Sequence, residues 1–208
     1  YFNGGNSLYR TDGSAGNLER VKNFSSLDLN ECAVINNKMF FKAEGKLWWT
    51  DGLFTFIFIN LCANQNSGYS LIEITGVFQN RLYFIGSDCS SGNELWSTDG
   101  NYTNTALVKD IKPGSASGIC CRGSHISDSC IYFSTFSDSF AYKFTLWKSD
   151  GTDTGTVIVK DSFPELSNSK FQTVGGLTYI AIPGLYDGAL WVTDGTDSGT
   201  VWLSFIQN

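Results

Sequence analysis

Short runs of β-branched and aromatic residues recur along the chain, and each is followed by turn residues such as Asp and Gly. In the run Leu82–Ile85 every position is apolar, so both faces of the predicted strand are apolar. A strand of this kind lies in a sheet that is covered on both sides. The most apolar stretch, Leu53–Leu61, falls well short of the about 20 residues of a membrane-spanning helix. It predicts instead a strand buried on both faces.

One six-residue motif, Leu-aromatic-x-Thr/Ser-Asp-Gly, occurs five times, and its copies begin 39, 48, 51 and 44 residues apart. A period of about 40–50 residues is typical of β-propeller blades. The copies are Leu8–Gly13, Leu47–Gly52, Leu95–Gly100, Leu146–Gly151 and Leu190–Gly195. We therefore predict an all-β fold, a single β-propeller domain over residues 1–208 made of about five four-stranded blades.

The flanks of the motif repeat as well and predict the strand order within a blade. A first strand such as Ile74–Phe78 precedes a strand with a Tyr-Phe or similar pair, and the motif itself forms the third strand. Asp-Gly accepts a positive φ, which predicts a tight hairpin turn at this point. A β-branched strand such as Val157–Asp161 then completes the blade.

The first repeat is shorter than the others. Only 26 residues connect Leu190 to Leu8 when the run to Asn208 and the run from Tyr1 are taken together. The first blade is therefore predicted to lack about one strand. Three explanations stay open: imperfect ring closure, a strand supplied by a missing segment or a neighbouring chain, or an open ring.

The motif resembles the bacterial family of ELWxxDGT repeats. The likeness is clearest at Glu94–Gly100, at Leu146–Thr152 and in the Val159–Asp161 stretch that follows. Two copies depart from the family pattern, with Tyr9 in place of Trp and Leu53 in place of the Thr after Asp-Gly. The resemblance implies a propeller-forming surface protein and no single activity. Five short blades are also similar in architecture to tachylectin-type lectins, which bind amino sugars, although fold alone does not assign function.

Composition narrows the class of partner. Hydrophobic residues make up 42% of the chain and charged residues 16%, which is typical of a globular protein. The formal net charge of −6 predicts repulsion from the phosphates of nucleic acids and from anionic lipids. We therefore expect no nucleic-acid partner and no membrane span.

An even number of cysteines predicts disulfides and an oxidising compartment. The six cysteines are Cys32, Cys62, Cys89, Cys120, Cys121 and Cys130. Asn23 and Asn101 begin N-glycosylation sequons, which fit the same compartment. The chain begins at Tyr1 without a leader, so we expect a mature form or a fragment of a protein that is secreted or held at the cell surface.

Catalytic motifs are missing from the sequence, so we predict a protein that is not an enzyme and needs no cofactor. The single histidine, His125, is interpreted as a polar loop residue beside a disulfide. The carboxylates that recur once per repeat are predicted to be turn residues, with a calcium site as the alternative; they are Asp12, Asp51, Asp99, Asp150 and Asp194. A glycosidase would need two inward carboxylates outside the repeat, for which Glu73 and Glu165 are the candidates.

Side chains of the motif strand point alternately to the two faces of the sheet, which places the motif aromatics where they can pack between blades. We therefore assign these aromatics to the core. They are Tyr9, Trp48, Trp96, Trp147 and Trp191. Residues that break the repeat are better ligand candidates: Arg10 and Trp49 at the variable position of the motif, and Tyr69 and Tyr186 in loops.

Two hypotheses of function follow. The first is a non-catalytic, lectin-like protein that binds glycans in pockets between blades, with avidity from repeated sites. The second is a structural subunit of an extracellular filament, matrix or surface layer that exchanges strands with other extracellular proteins or with itself at open blade edges.

Overall fold

The computed structural model describes residues 1–59, 73–88, 90–119, 123–138, 143–163, 169–183 and 188–206. This part of the chain contains β-strands and one short 3₁₀ turn, Tyr102–Asn104. Within it, no helix is long and apolar enough to cross a membrane.

The strands form five antiparallel sheets. The first sheet has the order β1-β2-β3, with β1 Phe2–Gly4, β2 Ser7–Thr11 and β3 Leu18–Asn23. The second has the order β4-β5-β6-β7, with β4 Leu27–Ile35, β5 Lys38–Ala43, β6 Lys46–Thr50 and β7 Thr55–Ile59. The third has the order β8-β9-β10-β11, with β8 Glu73–Phe78, β9 Arg81–Ser87, β10 Asn93–Thr98 and β11 Ala106–Lys109.

The last two sheets repeat the four-stranded plan. The fourth has the order β12-β13-β14-β15, with β12 His125–Ile126, β13 Ile131–Asp138, β14 Lys143–Ser149 and β15 Val157–Phe163. The fifth has the order β16-β17-β18-β19, with β16 Lys170–Val174, β17 Leu177–Ile182, β18 Gly188–Thr193 and β19 Val201–Ile206. The first sheet therefore has one strand fewer than its four counterparts, as its short repeat predicted.

The motif occupies the same strand in every sheet, which is the third strand of the four-stranded sheets and β2 of the first sheet. Its leucine is fully buried in four copies, Leu8, Leu47, Leu95 and Leu146. In four sheets the pairing with the following strand shifts by one residue directly after this leucine, between Leu146 and Trp147 for example. Such a β-bulge bends and twists the strand at a fixed point.

The chain divides into two compact units, one of residues 1–107 with 112–116 and one of residues 108–111 with 117–208. In the first unit, one apolar cluster joins the second and third sheets around Phe40 and Phe84, and another joins the first and second sheets around Leu8 and Trp48. In the second unit, a cluster around Leu146 and Ile180 joins the fourth and fifth sheets. The prediction of a single domain stays a prediction.

The prediction of a doubly buried strand at Leu53–Leu61 is wrong for its first half. The strand β7 begins only at Thr55, and Leu53, Phe54 and Phe56 are more than half exposed. The reason is that β7 is the outermost strand of its sheet and has a neighbour on one side only. Phe58 and Ile59 are buried, and residues 60–61 lie outside the described residues.

Candidate functional site

The Asp-Gly turn has the same geometry in all five sheets. Its glycine has a φ between +86° and +95°, as the motif predicted. The hydroxyl of the preceding Thr or Ser accepts a hydrogen bond of 2.9–3.1 Å from this glycine's N–H. The loop between the motif strand and the next strand is longer than the predicted tight hairpin turn. In the fourth sheet, for example, β14 ends at Ser149 and β15 begins only at Val157.

The aspartate of each turn is held by the turn itself, as predicted. One carboxylate oxygen accepts a hydrogen bond of 2.8–2.9 Å from the N–H two residues further on. Hydrogen bonds lower the pKa of all five carboxyls, because they stabilise the charged form. For Asp150 and Asp194 the largest cause is the hydroxyl of Thr152 and Thr196, respectively.

The fifth residue after the aspartate differs between turns. In the first and third sheets it is an asparagine, and the amides of Asn17 and Asn104 donate to the second carboxylate oxygen at 2.6 and 2.7 Å. In the fourth and fifth sheets it is Gly155 or Gly199, which has no side chain to donate. A Cβ atom at either glycine would collide with the carboxylate of its turn. The carboxylates of Asp150 and Asp194 therefore receive no hydrogen bond from a side-chain amide at this turn position, unlike those of Asp12 and Asp99.

A cleft of about 370 Å³ lies between the fourth and fifth sheets, within the second unit. Its polar lining includes the ammonium of Lys148, the carboxylates of Asp150 and Asp194 and the hydroxyls of Ser129 and Tyr132. Lys148 is half-buried, and its charge contributes to the lowered pKa of Asp194. The cleft thus presents a hydrogen-bond donor beside two acceptors of opposite charge.

The hydroxyl of Tyr132, which lines this cleft, is hydrogen-bonded to buried threonine side chains. Burial raises the pKa of Tyr132, as does the neighbouring Cys130, while hydrogen bonds with the hydroxyls of Thr178 and Thr193 act in the opposite direction. Thr193 in turn shares a hydrogen bond of 2.7 Å with the hydroxyl of Thr200. This network fixes the tyrosine hydroxyl against the turn of the fifth sheet.

The variable position of the motif explains how the cleft is built. Lys148 occupies it in the fourth sheet, and a Cβ atom on Gly195 of the next sheet's turn would lie 3.5 Å from Lys148 Nζ and 3.2 Å from Tyr132 Oη. Arg10 occupies it in the first sheet, and its Nη1 donates to the carbonyl oxygen of Gly52, the equivalent glycine in the second sheet. A cation at this position therefore reaches the Asp-Gly turn of the following sheet.

Of the four predicted ligand residues, the structure describes Arg10 and Trp49. Arg10 lines a smaller cleft of about 280 Å³ with Asp12, Asn17 and Glu19, and its guanidinium binds Glu19 at 2.7 Å. Trp49 lies below the ammonium of Lys38, 4.3 Å from the ring centre. Tyr69 and Tyr186 lie outside the described residues.

Sequence reasoning missed Lys148, although the signal was present. Lys148 stands at the same variable position of the motif as Arg10 and Trp49, which the sequence predicts as ligand candidates because they break the repeat. The pattern does not show which of these side chains faces a cleft.

Motif aromatics fill the core where the packing around them is complete. Trp48 and Trp96 are buried, and their indole N–H groups donate to the carbonyl oxygens of Ala43 and Gly86 at 3.0 Å. Tyr9, Trp147 and Trp191 are half-buried.

The structure describes two of the six cysteines and both glycosylation sequons. Cys32, exposed on β4, and Cys130, buried, are free cysteines in the structure. The other four, Cys62, Cys89, Cys120 and Cys121, lie outside the described residues, so the disulfides stay a prediction. Asn23 and Asn101 are both exposed, and their glycosylation stays a prediction too.

His125 lies on the short strand β12 rather than in a loop. Its Nε2 is 3.1 Å from the hydroxyl of Thr173, and its ring stacks on Phe171 at 5.5 Å. Burial lowers its pKa, because the charged form loses hydration. The ring therefore joins the fourth sheet to the fifth in its neutral form.

We expect the free energy of unfolding to fall as the pH drops below the ordinary histidine pKa of about 6.5. The folded pKa is below the unfolded one, so in this window the unfolded chain binds more protons and acid favours it. Urea titrations from pH 7.5 to pH 5 check this, with His125→Gln as the control that cannot titrate. Equal pH slopes for the two proteins would refute the assignment. The turn aspartates do not interfere, because their ordinary pKa of 3.8 is far below this window.

In the described part of the chain, no group of three or more His, Cys, Asp or Glu residues could hold a metal ion. Each of the repeated aspartates is bound within its own turn.

Comparison with known proteins gives a fold and no family. No family model and no curated protein matches the chain. The crystal structure of TolB from Acinetobacter baumannii is similar over 97% of this chain, with a TM-score of 0.56 and 15% identity. The chain spans about half of TolB, 49% of its length. The crystal structure of a nidogen/laminin complex is also similar, with a TM-score of 0.54 and 10% identity. The match covers 98% of this chain and 76% of the matched chain of the complex. Both neighbours are β-propellers, and this chain has the same class of fold.

Proposed function

We propose that this chain is a non-catalytic extracellular protein that binds a glycan in the cleft between its fourth and fifth sheets. The observation that carries the proposal is the composition of the cleft, where Lys148 lies beside Asp150 and Asp194. The cleft volume of about 370 Å³ is within the usual range of ligand sites, roughly 300–1,000 Å³.

The mixed charge of the cleft favours a neutral polyol. A sugar hydroxyl both donates and accepts hydrogen bonds, so neighbouring hydroxyls match an ammonium on one side and carboxylates on the other. Phosphate-bearing ligands fit less well, because Asp150 and Asp194 and the net charge of −6 repel them. Val157 is the apolar lining side chain available to contact a ring face.

The pKa values of the carboxyls support binding rather than glycoside hydrolysis. A glycosidase needs a carboxylic acid with a raised pKa to protonate the leaving oxygen. The carboxyls of Asp150 and Asp194 have lowered pKa values instead. Of the two glycosidase candidates, Glu73 is buried in β8 and Glu165 lies outside the described residues.

A glycan array tests the proposal. The purified, non-reduced protein, with its fold checked by circular dichroism, should bind one class of neutral sugar reproducibly. We expect binding to persist in a calcium chelator, because the turns supply their own hydrogen bonds to the aspartates. Binding lost on chelation would favour the calcium alternative, and a blank array with folded protein would contradict the glycan proposal.

A second function, assembly into extracellular structures, is favoured by one observation. The outermost strand of the fifth sheet, β19, exposes Trp202 and Phe205, whose rings are 5.1 Å apart. Exposed apolar edge strands are templates for pairing with another chain. Light scattering at rising concentration separates the two functions, since a glycan-binding protein keeps a constant mass and an assembly subunit does not.

A further inference from the structure

A path of hydrogen bonds begins at His125 on β12 and crosses from the fourth sheet to the fifth. The Nε2 atom of His125 is 3.1 Å from the hydroxyl of Thr173 on β16. That hydroxyl is 3.0 Å from the hydroxyl of Thr178 on β17. Thr178 in turn hydrogen-bonds to the hydroxyl of Tyr132, back on the fourth sheet. The path thus connects the histidine to a residue that lines the cleft.

The same hydrogen-bond path continues to the Asp-Gly turn of the fifth sheet. Tyr132 also hydrogen-bonds to Thr193, whose hydroxyl is 2.7 Å from that of Thr200. The hydroxyl of Thr200 donates to the carbonyl oxygen of Thr196 at 2.6 Å. The N–H and the hydroxyl of Thr196 both donate to Asp194, at 2.8 and 2.7 Å. The path therefore ends at the residue that holds one of the carboxylates of the cleft.

The last bond fixes the direction of the hydrogen-bond path. A hydroxyl has one proton to donate, and a carbonyl oxygen can only accept. Thr200 uses its proton on Thr196, so Thr193 must be the donor to Thr200. The proton of Thr193 is then committed as well, so Tyr132 must be the donor to Thr193.

The same count of protons leads back to the histidine. Because the proton of Tyr132 is committed, Thr178 must donate to Tyr132, and Thr173 must donate to Thr178. Thr173 has no second proton, so His125 must donate to it from an Nε2–H group. In the neutral ring Nδ1 is then the acceptor nitrogen. The thiol of Cys130, which also hydrogen-bonds to Tyr132, has a proton of its own and leaves this direction unchanged.

We propose that His125 is a positioning residue of the cleft, which carries its proton on Nε2 and fixes Thr196, and so Asp194, through this one-way path. Each hydroxyl along the path is oriented by the next acceptor, so loss of one hydroxyl frees the groups on both sides of it. Water cannot readily replace a lost partner at Thr193 and Thr200, because both are buried. The role of the path in ligand binding rests on the proposed function, whereas its direction does not.

NMR spectroscopy tests the direction of the path without a ligand. The chain has a single histidine, so the signals of its two ring nitrogens do not overlap with those of another ring. Burial lowers the pKa of His125, so the ring is neutral at pH 7.5. We expect long-range ¹H–¹⁵N correlation at this pH to show the proton on Nε2 and none on Nδ1. A proton on Nδ1 would overturn the proposal.

Thr173→Val tests the positioning of the turn, because Thr173 does not line the cleft and valine keeps its volume. Thr173→Ser is the matched control, since serine keeps the hydroxyl. We expect Thr173→Val to show both ring tautomers of His125 and to shift the NMR signals of Asp194 and Thr196, and Thr173→Ser to resemble the wild type. Unshifted signals of Asp194 and Thr196 in Thr173→Val would overturn the positioning role.

Glycan affinity of the same two variants tests the consequence for binding. We expect Thr173→Val to bind the glycan about threefold or more weakly, within the effect of one hydrogen bond, and Thr173→Ser to bind it as the wild type does. Equal affinity of Thr173→Val and the wild type would overturn the role of His125 in the cleft. A wild type that binds no glycan would contradict the proposed function instead, and the NMR results would still decide the direction of the path and the positioning of Asp194.

Discussion

Replacement of Leu146 by alanine is expected to lower the free energy of unfolding by about 2–5 kcal/mol, the usual range for a buried leucine. Leu146 is 0% exposed and belongs to the apolar cluster that joins the fourth and fifth sheets. It lies beside the β-bulge, which bends and twists the strand at this point. Urea unfolding followed by tryptophan fluorescence measures the change.

The motif itself provides the control for this substitution. Leu190 is the equivalent leucine of the fifth sheet, and it is only half-buried. Leu190→Ala should therefore cost clearly less than Leu146→Ala, because less apolar surface leaves the core. Equal costs for the two substitutions would contradict the packing described for the second unit.

Replacement of Thr193 by valine is expected to cost about 1–3 kcal/mol, the price of leaving buried polar groups without a partner. Valine keeps the volume of threonine but removes the hydroxyl. That hydroxyl accepts a hydrogen bond from Gly195 N at 2.9 Å, pairs with Thr200 at 2.7 Å and contacts the hydroxyl of Tyr132. The substitution therefore removes a hydrogen-bond partner of Tyr132, which lines the cleft, as well as a hydrogen bond within the turn.

Thr11→Val is the matched control, because Thr11 makes the same bond to Gly13 N at 3.0 Å but is exposed. Water can replace its hydroxyl, so we expect a change well below 1 kcal/mol. Calorimetric or denaturant unfolding of both variants checks the difference. A Thr193→Val protein as stable as the wild type would show that the buried hydroxyl network contributes nothing to the turn.

Much of the fold could be predicted because local chemistry repeats. Thr or Ser, Asp and Gly stand together in all five copies, and each residue makes the same hydrogen bond in each turn. The shortened first repeat likewise predicted a sheet with one strand fewer. Both features depend only on residues that are close together in the sequence, so they can be predicted from it.

Features that depend on neighbours in space were harder to predict. The apolar residues of Leu53–Ile57 predicted burial, but β7 is the outermost strand of its sheet and much of this segment is exposed. Amino-acid composition does not show whether a strand lies at the centre or at the edge of a sheet. The cleft was missed for the same reason, since it arises where Lys148 of one sheet reaches Gly195 of the next. The change from Asn104 to Gly155 at one turn position was visible in the sequence, but its effect on the carboxylate needed the structure.

Isothermal titration calorimetry of the best array glycan with the wild type, Lys148→Met and Lys170→Met tests whether the glycan binds in the cleft between the fourth and fifth sheets. Lys148 lines the cleft, whereas Lys170 is exposed in the same unit and removes the same charge when replaced. We expect at least about tenfold weaker binding for Lys148→Met, which corresponds to about 1.4 kcal/mol, and unchanged binding for Lys170→Met. Equal affinity for Lys148→Met and the wild type would contradict the assignment of this cleft as the binding site.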